Sequence, residues 1–358
     1  MAQRVAVIEG DDASPEAMRP TVALIDTLGI EPGIEWLYPP VGPLGLARHG
    51  SAFPAEAREQ IDACETTLFG STSGPSALAL LHLRWGRETY ANVRPARWWP
   101  GCRSPLARPE GIDFVIVREN LEDLYLGCEG EVEELAPLGL MSTTARKPVA
   151  DLGPGRFAIK VISEAGSERV IRFAFELARR RRAAGHRGRV TCSSKYNMLP
   201  RTDGLFRETA ERLAPEYPEI ELQCFIVDDF ARRMVAEPEE LDVVVLPNLY
   251  GDVLSDLAAG LVGGLGLAPS GCYGDDSTYF ESAHGSAPDI AGRNIINPTA
   301  TILSAAMMLE HLGHAEPAGR LVGAVEAVYA EGKSLTPDQG GASSSTEFCE
   351  AVARRLDG

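Results

Sequence analysis

Asp242-Val243-Val244-Val245-Leu246-Pro247-Asn248-Leu249-Tyr250-Gly251-Asp252-Val253-Leu254-Ser255-Asp256-Leu257-Ala258-Ala259-Gly260 holds two kinds of pattern in one short span. The β-branched run ending at Pro247 reads as a buried strand. In the stretch that follows, Asp252 and Asp256 are four residues apart and share one face of a helix. The same alternation recurs outward along the chain. Val5 to Ile8 leads into a helix-like segment reaching Leu28, and Phe114 to Val117 and Arg189 to Cys192 are further strand-like runs. Ser163 to Arg182 and Thr202 to Leu213 (with Leu205, Phe206, Ala210 and Leu213) carry apolar residues at helical spacing. Strands alternating with helices of this length predict an α/β protein with helices packed on a sheet. A Pro/Gly-rich zone from Pro95 to Gly111 and a looser acidic one from Cys128 to Gly155 interrupt the alternation, and read as a hinge and an excursion that forms an arm.

Composition narrows the class. A chain of 358 residues with 44% hydrophobic content supports a sizeable core and favours two domains over one. No apolar run approaches the roughly 20 residues needed to cross a bilayer, because the best candidate, around Leu254 to Leu267, is broken by glycines and Asp256. No signal-peptide pattern follows Met1, and seven scattered cysteines, an odd number with no CxxC spacing, disfavour a disulfide framework; a reducing, cytoplasmic setting is expected. The net charge of −17 works against nucleic-acid binding. The run Arg179-Arg180-Arg181-Arg182 follows a helical apolar pattern and leads into Gly185, so it reads as the cationic C-terminus of a helix.

Two like charges on one helix face repel by a few tenths of a kcal/mol, and hard divalent ions prefer carboxylate oxygens, at about 2.1 Å for magnesium. Spacing alone leaves open that Asp252 caps the helix and Asp256 faces water. After the first strand the chain reads Gly10-Asp11-Asp12-Ala13-Ser14-Pro15-Glu16, and GxGxxG occurs nowhere, which disfavours a Rossmann dinucleotide site.

Beyond the helix come Gly263-Gly264-Leu265-Gly266-Leu267-Ala268-Pro269-Ser270 and the stretch from Glu281 through Ser282-Ala283-His284-Gly285-Ser286-Ala287-Pro288-Asp289-Ile290-Ala291-Gly292-Arg293-Asn294 to Asn297-Pro298-Thr299. Together with the aspartate helix, these closely resemble the metal-dependent β-decarboxylating dehydrogenases acting on isocitrate, homoisocitrate and 3-isopropylmalate, over nearly the whole chain. The resemblance implies a two-domain α/β/α sandwich with a mixed sheet. Residues 1–92 plus 260–358 would form a discontinuous cofactor-binding domain, and 93–259 a substrate and dimerisation domain with an arm near 128–155.

The resemblance also assigns roles. Asp252, Asp256 and, from a partner subunit, Asp228 would hold Mg²⁺ or Mn²⁺, with Asp229 supporting from behind. Arg84, Arg94 and Arg118 would bind substrate carboxylates, a task suited to planar guanidinium forks. Arg87, between the first two, takes no role. Tyr125 and a neighbouring subunit's Lys195 would move protons. Glu281, His284, Ile290 and Asn297 would line the adenosine site, and Asp289 would accept both ribose hydroxyls and repel a 2′-phosphate, predicting NAD. A homodimer with shared active sites follows from the split of residues between chains. A non-catalytic regulatory subunit of a hetero-oligomer is the alternative, disfavoured because each of these positions is filled.

Two features depart from the family. Asp12 and Ala13-Ser14 stand where the family has Gly-Ile-Gly, placing a negative charge near the expected nicotinamide end. Tyr196 stands where a small residue usually follows the lysine. Substrate signals are mixed. Aligned without a gap, Leu78, Leu80 and Leu81 precede Arg84, and the neighbouring pair Leu80-Leu81 resembles isopropylmalate enzymes, whereas Arg118-Glu119-Asn120 and Ser167-Glu168-Arg169 through Leu177 resemble the isocitrate branch, and a shifted register would bring in Ser73, Ser76 and His82.

Overall fold

The computed structural model describes residues 2–356. The chain starts with β1 (Gln3–Ile8), passes through α1 (Ser14–Asp26) to β2 (Ile34–Leu37), and returns through α2 (Pro43–His49) and α3 (Ala55–Asp62) to β3 (Thr66–Phe69). After α4 (Ala77–Leu81) and a π-helical turn (His82–Gly86) come the adjacent strands β4 (Ala91–Arg97) and β5 (Asp113–Glu119). An excursion carries the short strands β6 (Glu129–Glu131), β7 (Met141–Ser142), β8 (Lys147–Pro148) and β9 (Arg156–Ala158). The middle of the chain then alternates α5 (Glu164–Ala183), β10 (Arg189–Ser194), α6 (Thr202–Leu213), β11 (Glu221–Ile226), α7 (Val227–Ala236), β12 (Val243–Leu246) and α8 (Asn248–Val262). It closes with β13 (Pro269–Tyr273), β14 (Thr278–Ser282), α9 (Thr299–His311), α10 (Ala315–Glu331) and α11 (Ser345–Leu356).

Ten strands form one mixed sheet in the order β11-β10-β12-β5-β4-β13-β14-β3-β1-β2. One wing, β11-β10-β12-β5, is parallel throughout, as is the other, β14-β3-β1-β2. Between them β4 and β13 lie antiparallel to each other and to their outer neighbours. Parallel strands are covered on both faces, so their sequences read as unbroken apolar runs whose alternate residues serve different cores. In β12, Val243 and Val245 enter the core beneath α5 and α6, while Val244 and Leu246 enter the one beneath α7 and α8. The other wing packs its β1 and β3 residues against α1, α9, α10 and α11 on one face and α3 on the other.

The α/β expectation holds, and each strand and helix read from the sequence is present. The Pro95–Gly111 zone begins too early, because Pro95-Ala96-Arg97 complete β4. The reason is local: β13 pairs with β4 only over Ala91–Val93, so beyond Val93 the strand has one neighbour and its other side tolerates a residue with no N–H. The division points at 92/93 and 259/260 fall inside β4 and α8. The arginine run ends α5, and two of its members are paired with carboxylates. Arg181 pairs with Asp242 at 2.6 Å and Asp113 at 3.0 Å, and Arg179 with Glu219 at 2.6 Å.

The C-terminal α11 packs on α1, with Phe348 fully buried and its ring edge-on to Tyr329 at 5.7 Å. Phe348→Ala should lower stability by about 3–5 kcal/mol, the range for deleting a buried aromatic ring. Urea titration followed by circular dichroism checks this; an unchanged midpoint would mean that α11 contributes nothing to that core.

Candidate active site

Helix α8 follows β12 after Pro247, and its first turns lie directly over the end of β5. The approach is close because residue 251 is glycine: a Cβ there would sit 2.7 Å from Cβ and Cγ of Arg118. Arg118, 2% exposed, extends beneath the helix and donates from Nε to Asn248 Oδ1 at 3.0 Å and from Nη2 to the same oxygen at 2.6 Å. Its Nη1 donates to Asp252 Oδ1. One buried guanidinium therefore ties together two turns of the helix that carries the acidic pair.

Arg94, on β4, reaches the next turn. Its Nη1 donates to Ser255 Oγ at 2.7 Å and lies 3.4 Å from Asp252 and 3.7 Å from Asp256. Arg84, on the π-helical turn, is paired with Glu281 at 3.4 Å and donates to the Tyr279 hydroxyl at 3.3 Å. The three cations crowd one another: burial, then Arg94 and Arg84, push Arg118 down to about 10, against the pull of Asp252. Asp256 is held above the ordinary carboxylate range by burial and by Asp252, with Arg94 opposing. Tyr125, on a 3-10 turn from Leu124 to Leu126, donates to Asp252 Oδ2 at 2.9 Å, and the Arg118 guanidinium lies 5.4 Å from its ring centre. Burial first, and then Asp252, raise its phenol above the ordinary value.

Lys195 and Asp228 form a separate group, at the ends of β10 and β11. The ammonium donates to Asp228 Oδ1, which lowers the aspartate's proton affinity. Asp229 beside it is held by Arg232 at 3.0 Å and Arg233 at 2.9 Å. Tyr196 lies under the Arg207 guanidinium at 4.6 Å. Among the described residues, no three His, Cys, Asp or Glu side chains of this chain converge as a metal site. Asp252 and Asp256 supply two oxygen donors on one helix face. This donor type suits a hard divalent cation, and further ligands would come from outside the chain.

The loop after β14 is anchored from several sides. His284 Nδ1 donates to the Gly285 carbonyl at 2.8 Å, while its Nε2 is buried with no partner among the described residues. Asp289 is exposed on the Pro288–Ile290 turn with no hydrogen bond or ion pair among the described residues. Ile290 packs beside Ala13, Ala17 and Ile296. Asn297 is engaged internally: its Nδ2 donates to Tyr329 at 3.1 Å and Asp338 at 2.9 Å, and its Oδ1 caps Thr299 N at 3.0 Å. Glu281 turns toward Arg84 and Tyr279, away from this loop.

The altered loop after β1 forms a latch. Asp12, at φ +52°, accepts from Ser73 Oγ at 2.9 Å and from Ser286 Oγ. Asp11, buried, accepts from Ser76 Oγ at 2.9 Å, Gly74 N at 3.2 Å, Ser76 N at 3.3 Å and the Thr72 hydroxyl. Three loops are thereby joined: the one after β1, the one before α4, and the one after β14.

Arg84, Arg94, Arg118, Asp252, Asp256 and Tyr125 thus come together, with Glu281 behind Arg84. Lys195 and Asp228 stand together elsewhere, and His284, Asp289 and Ile290 share the loop after β14. Asn248 and Ser255 are site residues that the sequence reading missed. Their signal was available: with Asp252 they make a polar stripe at i, i+4 and i+7 along a helix whose remaining residues, Asp256 aside, are largely apolar. Glu16, which accepts from Gly292 N and Asn294 N, was also missed and has no such local signal.

Residues 4–352 match the profile of the family described as isocitrate/isopropylmalate dehydrogenase. A 3-isopropylmalate/3-methylmalate dehydrogenase of Methanocaldococcus jannaschii is 42% identical over 353 residues, covering 99% of this chain and 98% of that one. An isocitrate/homoisocitrate dehydrogenase of Thermus thermophilus is 42% identical over 362 residues, covering 99% of each. Among solved structures, an isocitrate dehydrogenase from Methylococcus capsulatus superimposes with a TM-score of 0.84 at 36% identity, over 99% of this chain and 100% of that one. With this similarity along its full matched length, the chain belongs to the isocitrate/isopropylmalate dehydrogenase family.

Proposed function

We propose that this chain is a catalytically competent, cytoplasmic, NAD- and Mg²⁺- or Mn²⁺-dependent dehydrogenase. It converts a 3-substituted (2R)-malate of the isocitrate or 3-isopropylmalate type to a 2-oxo acid and CO₂, as a homodimer with shared active sites. The observation that carries the reading is the gathering of Arg94 and Arg118 against the carboxylates of α8, with Arg84 near enough to add to the burial and the Arg94 charge that hold Arg118 down. Among the described residues these three arginines face three carboxylates, Asp252, Asp256 and Glu281, so a divalent cation added at Asp252 and Asp256 would leave a positive excess that suits a substrate with at least two carboxylates. The two wings of the sheet serve as the two domains, 1–92 plus 260–358 and 93–259, with the cleft between them.

A divalent cation held by Asp252, Asp256 and a neighbouring chain's Asp228 would supply Lewis acidity, which acidifies the substrate hydroxyl and steadies negative charge as CO₂ leaves. The arginines fix the carboxylates, so that the bond to be broken is held in one orientation. Lys195 of the neighbouring chain, released from Asp228 and in its neutral amine form, would take the hydroxyl proton as hydride passes from the carbon bearing that hydroxyl to NAD. Tyr125 keeps its phenol proton at neutral pH, because burial and Asp252 raise its pKa, and can deliver that proton to the carbon left by CO₂. Separation of Lys195 and Asp228 from the α8 group within one chain supports the dimer. So do the apolar side chains exposed on α8 (Val253, Leu257) and on the excursion (Leu138, Leu140, Met141, Leu152).

NAD would be held against the loop after β14. The unpartnered His284 Nε2 offers an acceptor, Asp289 is free to bind ribose hydroxyls, and Asn297 shapes the wall through its internal bonds. For the substituent, Leu78 and Leu81 are 52% and 49% exposed, while Ser73 and Ser76 are bound to Asp12 and Asp11, and His82 to Asp62 at 2.9 Å. This favours an apolar 3-substituent over a third carboxylate.

Purified protein given Mn²⁺ and NAD should release NADH from 3-isopropylmalate faster than from isocitrate, homoisocitrate, tartrate or malate. A preference for isocitrate would refute the assignment of the leucines. Asp252→Asn should reduce kcat by about 10²–10³-fold, in the range for removing a key electrostatic group, with an unchanged circular dichroism spectrum. Near-normal turnover would remove the metal assignment. Asp289→Lys should raise KM for NAD and lower it for NADP; an unaltered ratio would show that this loop does not read the ribose.

A further inference from the structure

Lys160 lies between β9 and α5, with its ammonium 2.7 Å from Asp203 Oδ2, 3.3 Å from Asp123 Oδ1 and 4.7 Å from the centre of the Tyr250 ring. Both carboxylates are fully buried and the lysine side chain is 12% exposed. Burial alone would lower the lysine's pKa, yet Asp203 and Asp123 hold it above the ordinary value. A lysine clamped between two acids and an aromatic face is a fixed charge, and removing it would leave two carboxylates stranded out of water.

Each acid grips a different piece of machinery. Asp123 Oδ2 accepts from Leu249 N at 2.9 Å, in the first turn of α8, and its backbone is joined to Val161 at 2.9 Å. It holds φ +70° two residues before Tyr125, so the turn carrying that phenol starts from it. Asp203, in the first turn of α6, accepts from Lys195 N at 2.8 Å through Oδ1, and its carbonyl accepts from Ser194 Oγ at 3.0 Å. On one side of Lys160 stand α8 and Tyr125, and on the other stands Lys195.

We propose that Lys160, Asp123 and Asp203 form a positioning triad. It locks the residues a chain uses in its own active site to the lysine it lends to its neighbour's, so that the two sites of a dimer are set by one buried charge unit. This rests on the shared-site reading above. The three are positioning residues: Lys160 acts through the two acids, Asp203 through the Lys195 amide, and Asp123 through the Leu249 amide at the start of α8.

Mixed dimers separate the two arms. A dimer pairing an Asp252→Asn chain with a Lys195→Met chain has one complete site, built from the α8 of the second and the Lys195 of the first. It should recover up to half of the wild-type activity. If it recovers none, the shared-site reading fails, and the coupling with it. Lys160→Met is then added to either chain. In the Lys195→Met chain it disturbs the α8 arm, and should lower kcat about tenfold or more and weaken Mn²⁺ binding measured by calorimetry. In the Asp252→Asn chain it disturbs the lysine arm, and should lower kcat similarly and displace the pH profile of kcat. Lys160→Arg should restore both. If either placement leaves kcat and its own second readout within twofold of the parent mixed dimer, the triad does not position that arm and the coupling is overturned. Should Lys160→Met fail to accumulate as folded dimer, Asp203→Asn serves for the lysine arm, since it removes the charge yet keeps an oxygen for the Lys195 amide.

Discussion

The contact between Arg118 and the underside of α8 is the constraint on which the site depends. A guanidinium this deeply buried needs acceptors at each edge, and the helix provides them from Asn248 and Asp252. The helix can approach only because Gly251 presents no Cβ. The same contact aims Asp252, whose second oxygen is then left for Tyr125. Two carboxylates on one helix face would repel in isolation; here Arg118 and Arg94 compensate them within the chain, so the acidic pair is already ordered.

The sheet explains why these groups meet. Arg94 and Arg118 sit on the neighbouring antiparallel strands β4 and β5, with Arg94 opposite Ile116 and Arg118 opposite Asn92 in the register. Arg84 arrives from the turn just before β4, and Glu281 from β14 in the other wing. A cluster of like charges is thus assembled from strands whose own hydrogen bonds fix them, and the arginines need little further ordering.

Much of this was legible in the sequence, for physical reasons. Strands buried on both faces leave unbroken apolar runs such as Val243 to Leu246, and amphipathic helices leave periodic ones, so α/β architecture could be read directly. The acidic pair was visible because i, i+4 spacing fixes a shared face. Less legible were contacts that depend on tertiary approach. Nothing near Lys160 in the chain announces Asp123 or Asp203, and the internal engagement of Asn297 depends on Tyr329 and Asp338, which come much later. Pro95 misled because a strand flanked on one side only is a property of the sheet and leaves no trace in local composition.

The joined loops around Asp11 and Asp12 have a thermodynamic consequence. Glycines at such a turn would leave the segment many conformations, all but one of them surrendered by any ligand that orders it. Here Thr72, Ser73, Ser76 and Ser286 already restrain it through their hydroxyls. Restricting the free protein in this way shrinks the entropic loss on association, so a ligand contacting this rim would be captured more tightly and escape more slowly. The same stiffness would carry a kinetic cost, since a preset rim yields less readily to anything that must leave past it.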